Sequence, residues 1–306
     1  MGVSATVPGR LAKAIRQRSF AVTAEIGPPR GADTEPVRRA AKLLRDWVDA
    51  VNITDNQNAH VRLSSLAGSI VALQAGVEPV MQLTCRDRNR IALQSDLLSA
   101  GALGVPNVLL LAGDHPRHGD HADAAPVFDL DSAQLISAAR QMRDDGRLLS
   151  GRELAPAPRW LIGAVDDPVG SPERLAGKVK AGAEFVQTQF VVDVPAFEDW
   201  MSRVRDAGLH EQVAVLAGVG PIRSARALEF LRTELPGVQV PDDVVSRLLG
   251  VPGDRTAEEG MTLCVETVQR LREIPGVAGV HVMSVGHEQG VPEILERAGV
   301  GRAQPG

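Results

Sequence analysis

Short apolar runs rich in β-branched residues recur along the chain, and between them apolar positions return every three to four residues. Runs of this length read as strands and the segments between them as amphipathic helices. Eight runs can be counted, at 20–26, 49–54, 79–84, 107–112, 160–165, 185–190, 213–217 and 280–285. Few polar residues interrupt them, which suits parallel strands buried on both faces. Helix follows strand throughout, so the pattern predicts crossover connections.

Helix punctuation supports this reading. Asp33-Thr34-Glu35-Pro36 opens the first crossover helix, Ser171-Pro172-Glu173 a later one, and Thr256 with Glu259 forms a capping-box pattern before the last long one. In the first helix Val37, Ala40, Leu44 and Trp47 share a face, leaving Arg38, Arg39, Lys42 and Arg45 toward solvent. Eight alternations could also build an open doubly wound sheet, but such sheets usually carry G-x-G-x-x-G after a strand, and the chain has none. The fold class predicted is therefore α/β, a single-domain (β/α)8 barrel, with a lead-in helix over 1–19, the barrel over 20–300 and a tail over 301–306. Two connections are long, 115–129 and 237–254, and the second is predicted to hold an added short helix at 242–249.

Composition narrows the class without changing the picture. The 306 residues are 44% hydrophobic and 23% charged, with a net charge of −5, which suits a soluble protein and argues against a nucleic-acid partner. The two cysteines, Cys85 and Cys264, have neither zinc spacing nor a disulfide pattern, so a reducing cytoplasm is expected. The first twenty residues carry Arg10, Lys13, Arg16 and Arg18 without an apolar span, unlike a signal peptide or membrane helix. Met-Gly-Val-Ser-Ala-Thr at the start fits the loose myristoylation pattern, which is too short to weigh heavily.

In a (β/α)8 barrel the strand ends furnish the active site. Here they bring Glu25, Thr54-Asp55-Asn56, Thr84-Cys85-Arg86-Asp87, Gly113-Asp114, Gln187-Thr188-Gln189 and Ser284. A carboxylate closing an apolar strand costs desolvation energy unless it is paired or used. Glu25 is thus a candidate general acid, and a structural pairing with an arginine stays open beside that reading. Asp114, after the small Gly113, can accept hydrogen bonds from a heterocycle or merely cap its loop. Gln189 can read an amide-like ring edge, or be a satisfied core amide. Arg86, Arg88 and Arg90 could hold an anionic group, and Asp87 could equally neutralise them. His115, His118 and His121 lack the spacing of a recognised metal site, so no metal is expected. No strand supplies the lysine a Schiff-base aldolase needs, since Lys178 and Lys180 lie on a helix.

Ala-Glu-Ile-Gly-Pro-Pro-Arg-Gly (24–31), Asn-Ile-Thr-Asp-Asn (52–56), Leu-Thr-Cys-Arg-Asp-Arg-Asn (83–89), Leu-Ala-Gly-Asp (111–114), Lys-Val-Lys-Ala-Gly-Ala (178–183) and Gln-Thr-Gln-Phe (187–190) occur in order. Together they resemble the methylenetetrahydrofolate reductase family, most nearly the reductase half of bacterial bifunctional homocysteine methyltransferase/reductase proteins. The resemblance implies reduction of 5,10-methylenetetrahydrofolate to 5-methyltetrahydrofolate by NADH or NADPH, with hydride passing through FAD or directly. It makes Glu25 the acid that opens the imidazolidine ring and Asp114 the catalytic aspartate near flavin and pterin. Gln189, Gln187, Leu248 and Asp114 become the substrate-binding set. The cofactor set becomes Thr54, Asn56, Gln82, Thr84, Gly113, Asp114, Phe128 and Lys178. The departures concern the flavin: Gln82 replaces a histidine, Ala112 an arginine, and the loop at 165–170 is several residues short.

Two rival classes share the pterin pocket. A barrel methyltransferase would not need an acid such as Glu25, and a non-catalytic subunit of a larger reductase complex would bind folate without turnover. A homo-oligomer or a reductase partner subunit is compatible with either.

Overall fold

The computed structural model describes residues 7, 9–235, 237–284 and 286–301. Eight parallel strands close into a barrel in chain order: β1 (Ala21–Ile26), β2 (Ala50–Ile53), β3 (Pro79–Thr84), β4 (Asn107–Leu111), β5 (Leu161–Asp166), β6 (Phe185–Phe190), β7 (Ala214–Val219) and β8 (Val277–Val282). Closure is made by β1 against β8, with Ala21 opposite Gly279 and Thr23 opposite His281. The helices are α1 (Arg10–Gln17), α2 (Glu35–Leu44), α3 (Ser65–Gln74), α4 (Arg90–Ala102), α5 (Ser132–Arg140), α6 (Glu173–Ala181), α7 (Val194–Asp206), α8 (Ala225–Thr233), α9 (Asp242–Leu249), α10 (Thr256–Glu273) and α11 (Gly290–Arg297). Short helix α9 occupies the predicted span in the long connection after β7.

Each strand alternates between two surroundings because successive side chains point to opposite faces. Val22, Ala24 and Ile26 of β1 pack outward with Val37, Ala41 and Leu44 of α2. The other residues climb the barrel interior. Its floor is apolar: Ala21, Ala50, Val80, Leu109, Leu161, Phe185, Ala214 and Leu216 form one cluster with Leu11 and Ile15 of α1. The Phe185 ring fills the space at Gly163, where an added Cβ would lie 2.2 Å from the ring. One step higher on the strands stand Thr23, Asn52, Gln82, Gln187 and His281, all buried. Above them come Glu25, Thr54 and Thr84. An apolar floor thus gives way to a polar mouth through the pleat of the strands alone.

Helix α1 closes the floor. Its Leu11, Ala12, Ala14 and Ile15 are buried, and withdrawing a leucine or isoleucine side chain from water is worth about 1.5–3 kcal/mol. The Glu78 carboxylate accepts the backbone N–H groups of Arg10 and Leu11, two donors that a helix start leaves unpaired. Gly9 makes this approach possible, since a Cβ there would lie 1.8 Å from Glu78 Oε1.

Two expectations are corrected. The last strand begins at Val277, three residues before the expected 280, because the small Ala278 and Gly279 fit against β1, where an added Cβ on Gly279 would sit 2.0 Å from the Ala21 carbonyl oxygen. Its expected end, Val285, lies outside the described residues, as do the opening six residues and 302–306. The capping box at Thr256 does not form: Thr256 is buried inside α10, and Glu259 instead accepts from Arg247 of α9. Among the described residues, no helix is long and apolar enough to cross a membrane.

Candidate active site

The acid candidate sits at the C-terminal end of β1. Glu25 is 7% exposed, and its two carboxylate oxygens have different neighbours. Oε1 accepts a hydrogen bond from Gln57 Nε2 at 3.2 Å, while Oε2 faces His281 Nε2 at 3.7 Å. His281 Nδ1 is 2.9 Å from Thr23 Oγ1, and Thr23 Oγ1 accepts from Gln187 Nε2 at 3.0 Å. Gln187 and Asn52 then exchange two amide hydrogen bonds. A continuous polar chain therefore runs from the barrel interior to Glu25. Gln187 already donates to Thr23 Oγ1 and accepts from Thr23's neighbour in this layer, Asn52, so it faces the protein rather than a ligand.

The turn after β2 carries Gln57. Asn56, Asn58 and Ala59 all have positive φ, at 46°, 54° and 57°, a conformation that asparagine tolerates and that costs Ala59 roughly 1–2 kcal/mol. Ala59 packs so closely on the loop after β4 that a Cβ on Gly119 would lie 1.9 Å from its carbonyl oxygen. Thr54, at the end of β2, has a buried hydroxyl without a hydrogen-bond partner among the described residues. Asp55 is locked by Arg88 and by the Thr84 N–H and hydroxyl, so the Thr84 side chain serves the strand ends.

Arg86 ties three loops together. It is 2% exposed and donates through Nε and Nη2 to Asp87, through Nη2 to the Asn56 carbonyl, and through Nη1 to the Asp114 carbonyl. Burial pushes the Asp87 carboxyl up, but Arg86, Asn56 and Arg88 together outweigh this and hold it below the usual range. Asp114 itself is exposed on the loop after β4, behind Gly113, whose φ of 85° and contact with Thr84 leave no room for a side chain. Phe128 closes that loop with its N–H on the Cys85 carbonyl and its ring 38% exposed. Arg90 and Asp129 staple the loop to α4, and their hydrogen bonds bring the Asp129 carboxyl down to about 2.

Other expected residues are placed differently. Gln82 is buried on β3 among the polar layer, and Gln189 is half-buried at the end of β6, its Oε1 turned back to the Phe190 N–H. The β6–β7 register is irregular between Gln187 and Phe190, so the ladder loosens at the mouth. Leu248 is 1% exposed in a separate apolar cluster with Ile222, Leu228, Leu231 and Val244, and its side chain is core there. Lys178 reaches from α6 to Asp166 Oδ1 at 2.7 Å and to the Val165 carbonyl, so its charge is already paired within the protein.

Among the described residues no three His, Cys, Asp or Glu side chains are grouped to hold a metal ion. His115 Nδ1 accepts the Arg117 N–H and His118 Nε2 accepts from Arg117 Nε. Both cysteines are buried thiols, and burial pushes Cys85 up to about 11 and Cys264 to about 12. Sequence reading missed Thr23, Gln57 and His281. The signal for two of them was present: a polar residue set between apolar neighbours in Val-Thr-Ala and Val-His-Val marks the interior face of a strand. Gln57 lies in an irregular turn and had no such signal.

The methylenetetrahydrofolate reductase family model matches residues 10–299. The chain is 29% identical over 256 residues to methylenetetrahydrofolate reductase 2 of Saccharomyces cerevisiae, covering 78% of this chain and 40% of that protein. It is 24% identical over 310 residues to a probable methylenetetrahydrofolate reductase (NADPH) of Caenorhabditis elegans, covering 95% of this chain and 44% of that one. The chain thus spans less than half the length of these relatives. Among solved structures, an uncharacterized Clostridium thermocellum protein that binds two copies of 5-methyl-5,6,7,8-tetrahydrofolic acid is similar in fold, with a TM-score of 0.65 at 16% identity over 94% of this chain and 97% of that one. With the family's pattern running from α1 to the end of the barrel, the chain belongs to the methylenetetrahydrofolate reductase family.

Proposed function

We propose that this barrel reduces 5,10-methylenetetrahydrofolate to 5-methyltetrahydrofolate with a nicotinamide dinucleotide as donor. The observation that carries the reading is Glu25, a buried carboxyl at the barrel mouth with Gln57 on one oxygen and His281 opposite the other. In its protonated form Glu25 gives a proton to the folate nitrogen that leaves the methylene carbon. The carbon–nitrogen bond breaks, and the ring opens to an iminium cation. Hydride from the nicotinamide then reduces that carbon to a methyl group, and Glu25, now anionic, faces the cation it has generated. Asp114 and Gln189 are proposed to bind the pterin.

The residues present do not fit FAD in the manner the resemblance implies. Lys178, the lysine that the resemblance puts at the diphosphate, is already paired with Asp166. The loop at 165–170 is short as well. We therefore route hydride directly from NADH or NADPH to the folate.

Mixing the purified chain with methylenetetrahydrofolate and either nicotinamide tests this reading through loss of nicotinamide absorbance. Oxidation is expected, and Glu25→Gln is expected to slow it by about a hundredfold or more. Unchanged turnover in Glu25→Gln would remove the acid from the mechanism, and no oxidation with either donor would return the methyltransferase and non-catalytic readings. Flavin absorbance bands in the active sample would overturn the direct route.

A further inference from the structure

Gln57 reaches Glu25 from a turn that resists its own conformation. Three of its residues are left-handed, Asn56 and Asn58, which tolerate it, and Ala59, which is strained by it. Strain of this kind persists only where the surroundings over-determine it, and it gathers at functional sites. The surroundings here are specific. Arg86 Nη2 donates to the Asn56 carbonyl at 3.2 Å, Asn56 Nδ2 donates to Asp87 Oδ2 at 3.4 Å, and the Arg62 N–H donates to Asn56 Oδ1 at 3.0 Å. The next residue after Asn56 is Gln57, whose amide sits on Glu25 Oε1.

A guanidinium only 2% exposed carries a large desolvation cost, which its fork with Asp87 opposes. What the fork does at this spot is aim the outer edge of the guanidinium at a backbone carbonyl one residue from Gln57. We infer that Arg86 is a positioning residue for Glu25: it holds the Asn56 turn so that Gln57 donates to one carboxyl oxygen and directs the acidic proton to the other. The hydrogen bonds of Arg86 go to Asp87, the Asn56 carbonyl and the Asp114 carbonyl, none of them to Glu25. Arg86 acts through Asn56 and Gln57, and its catalytic meaning rests on the proposed role of Glu25.

The test uses the full chain, isotope-labelled, and follows the side-chain amide resonance of Gln57, assigned by its loss in Gln57→Ala. Its hydrogen-bonded proton is expected to shift to the same new position in Glu25→Ala and in Arg86→Lys, because a lysine keeps the charge but cannot span Asp87 and the carbonyl together. A Gln57 amide unmoved by Arg86→Lys overturns the inference. If that variant does not fold, the isosteric Asp87→Asn loosens the same guanidinium, and an unmoved amide there overturns it equally. In turnover, Arg86→Lys and Gln57→Ala are each expected to lower kcat about tenfold, Gln57→Ala with folate KM within about twofold, and the double variant to have a kcat no lower than either. Penalties that multiply in the double variant also overturn it. A wild-type chain without reductase activity would sink the proposed function alone, since the amide resonance still decides the relay.

Discussion

Glu25 and His281 face each other across the seam that closes the barrel, Oε2 to Nε2 at 3.7 Å, from strands that meet only because β8 returns to β1. His281 Nδ1 is held by Thr23, so the ring is oriented from behind. Replacing His281 with asparagine is expected to lower kcat about 10- to 100-fold with little change in folate KM, as befits a group that orients or recharges an acid. Steady-state kinetics over a range of folate concentrations checks this. A change confined to KM would make His281 a binding residue instead.

Glu78 makes stability depend on pH. Burial raises its carboxyl to about 7, against the pull of the Arg10 and Leu11 N–H groups, the Arg10 charge and Asn107. The folded state therefore prefers neutral Glu78: its contribution is fully present below the unfolded value near 4.5 and is lost as pH rises through about 7. Glu78→Gln mimics the protonated form. It is expected to match wild type at pH about 4.5 and to exceed it by about 1–3 kcal/mol at pH about 8 in urea unfolding. Parallel curves for the two proteins across that range would refute the assignment.

Arg143 and Glu184 form an ion pair below the barrel wall, with side chains 10% and 8% exposed. Glu184 also accepts the Ile162 N–H at 3.0 Å, which joins the pair to β5. Arg143→Met leaves a buried carboxylate without its cation and is expected to cost about 3–5 kcal/mol, more than the loss of an exposed pair such as Arg147–Glu153. Denaturant unfolding of the two single variants, Arg143→Met and Arg147→Met, provides the comparison. Equal losses would mean that water reaches the Arg143 pair.

Gly113 is expected to tolerate no side chain. Its φ is 85°, and a Cβ would lie 2.9 Å from Thr84 Cβ. Gly113→Ala is expected to cost about 1–3 kcal/mol and to lower kcat/KM for folate by moving Asp114, the next residue. Unfolding and kinetics measured on the same preparation separate the two effects. Lost stability with unaltered kcat/KM would argue that Asp114 does not touch the folate.

Eight strands, their order and helix α9 were legible because each strand is a run of apolar residues and each helix an apolar stripe, and both are local properties of the chain. Glu25, Asp114 and the Gln187–Gln189 segment were legible as polar residues at strand ends. Their surroundings were not. Gln187 reads the same in sequence whether its amide meets a ligand or Asn52, and Lys178 reads as a free cation until Asp166 is placed 2.7 Å from it.

Period-two alternation carries the signal that puts Thr23, Glu25 and His281 on interior faces, though only Glu25 was read from it. Nothing local could say that strands more than two hundred residues apart in sequence would be neighbours, because pairing is decided by barrel closure. Local pattern along the chain was enough for the fold class, the polar strand ends and the family. The partner of each polar group was set by barrel closure, since a buried donor or acceptor is satisfied by what closure brings within about 3 Å of it.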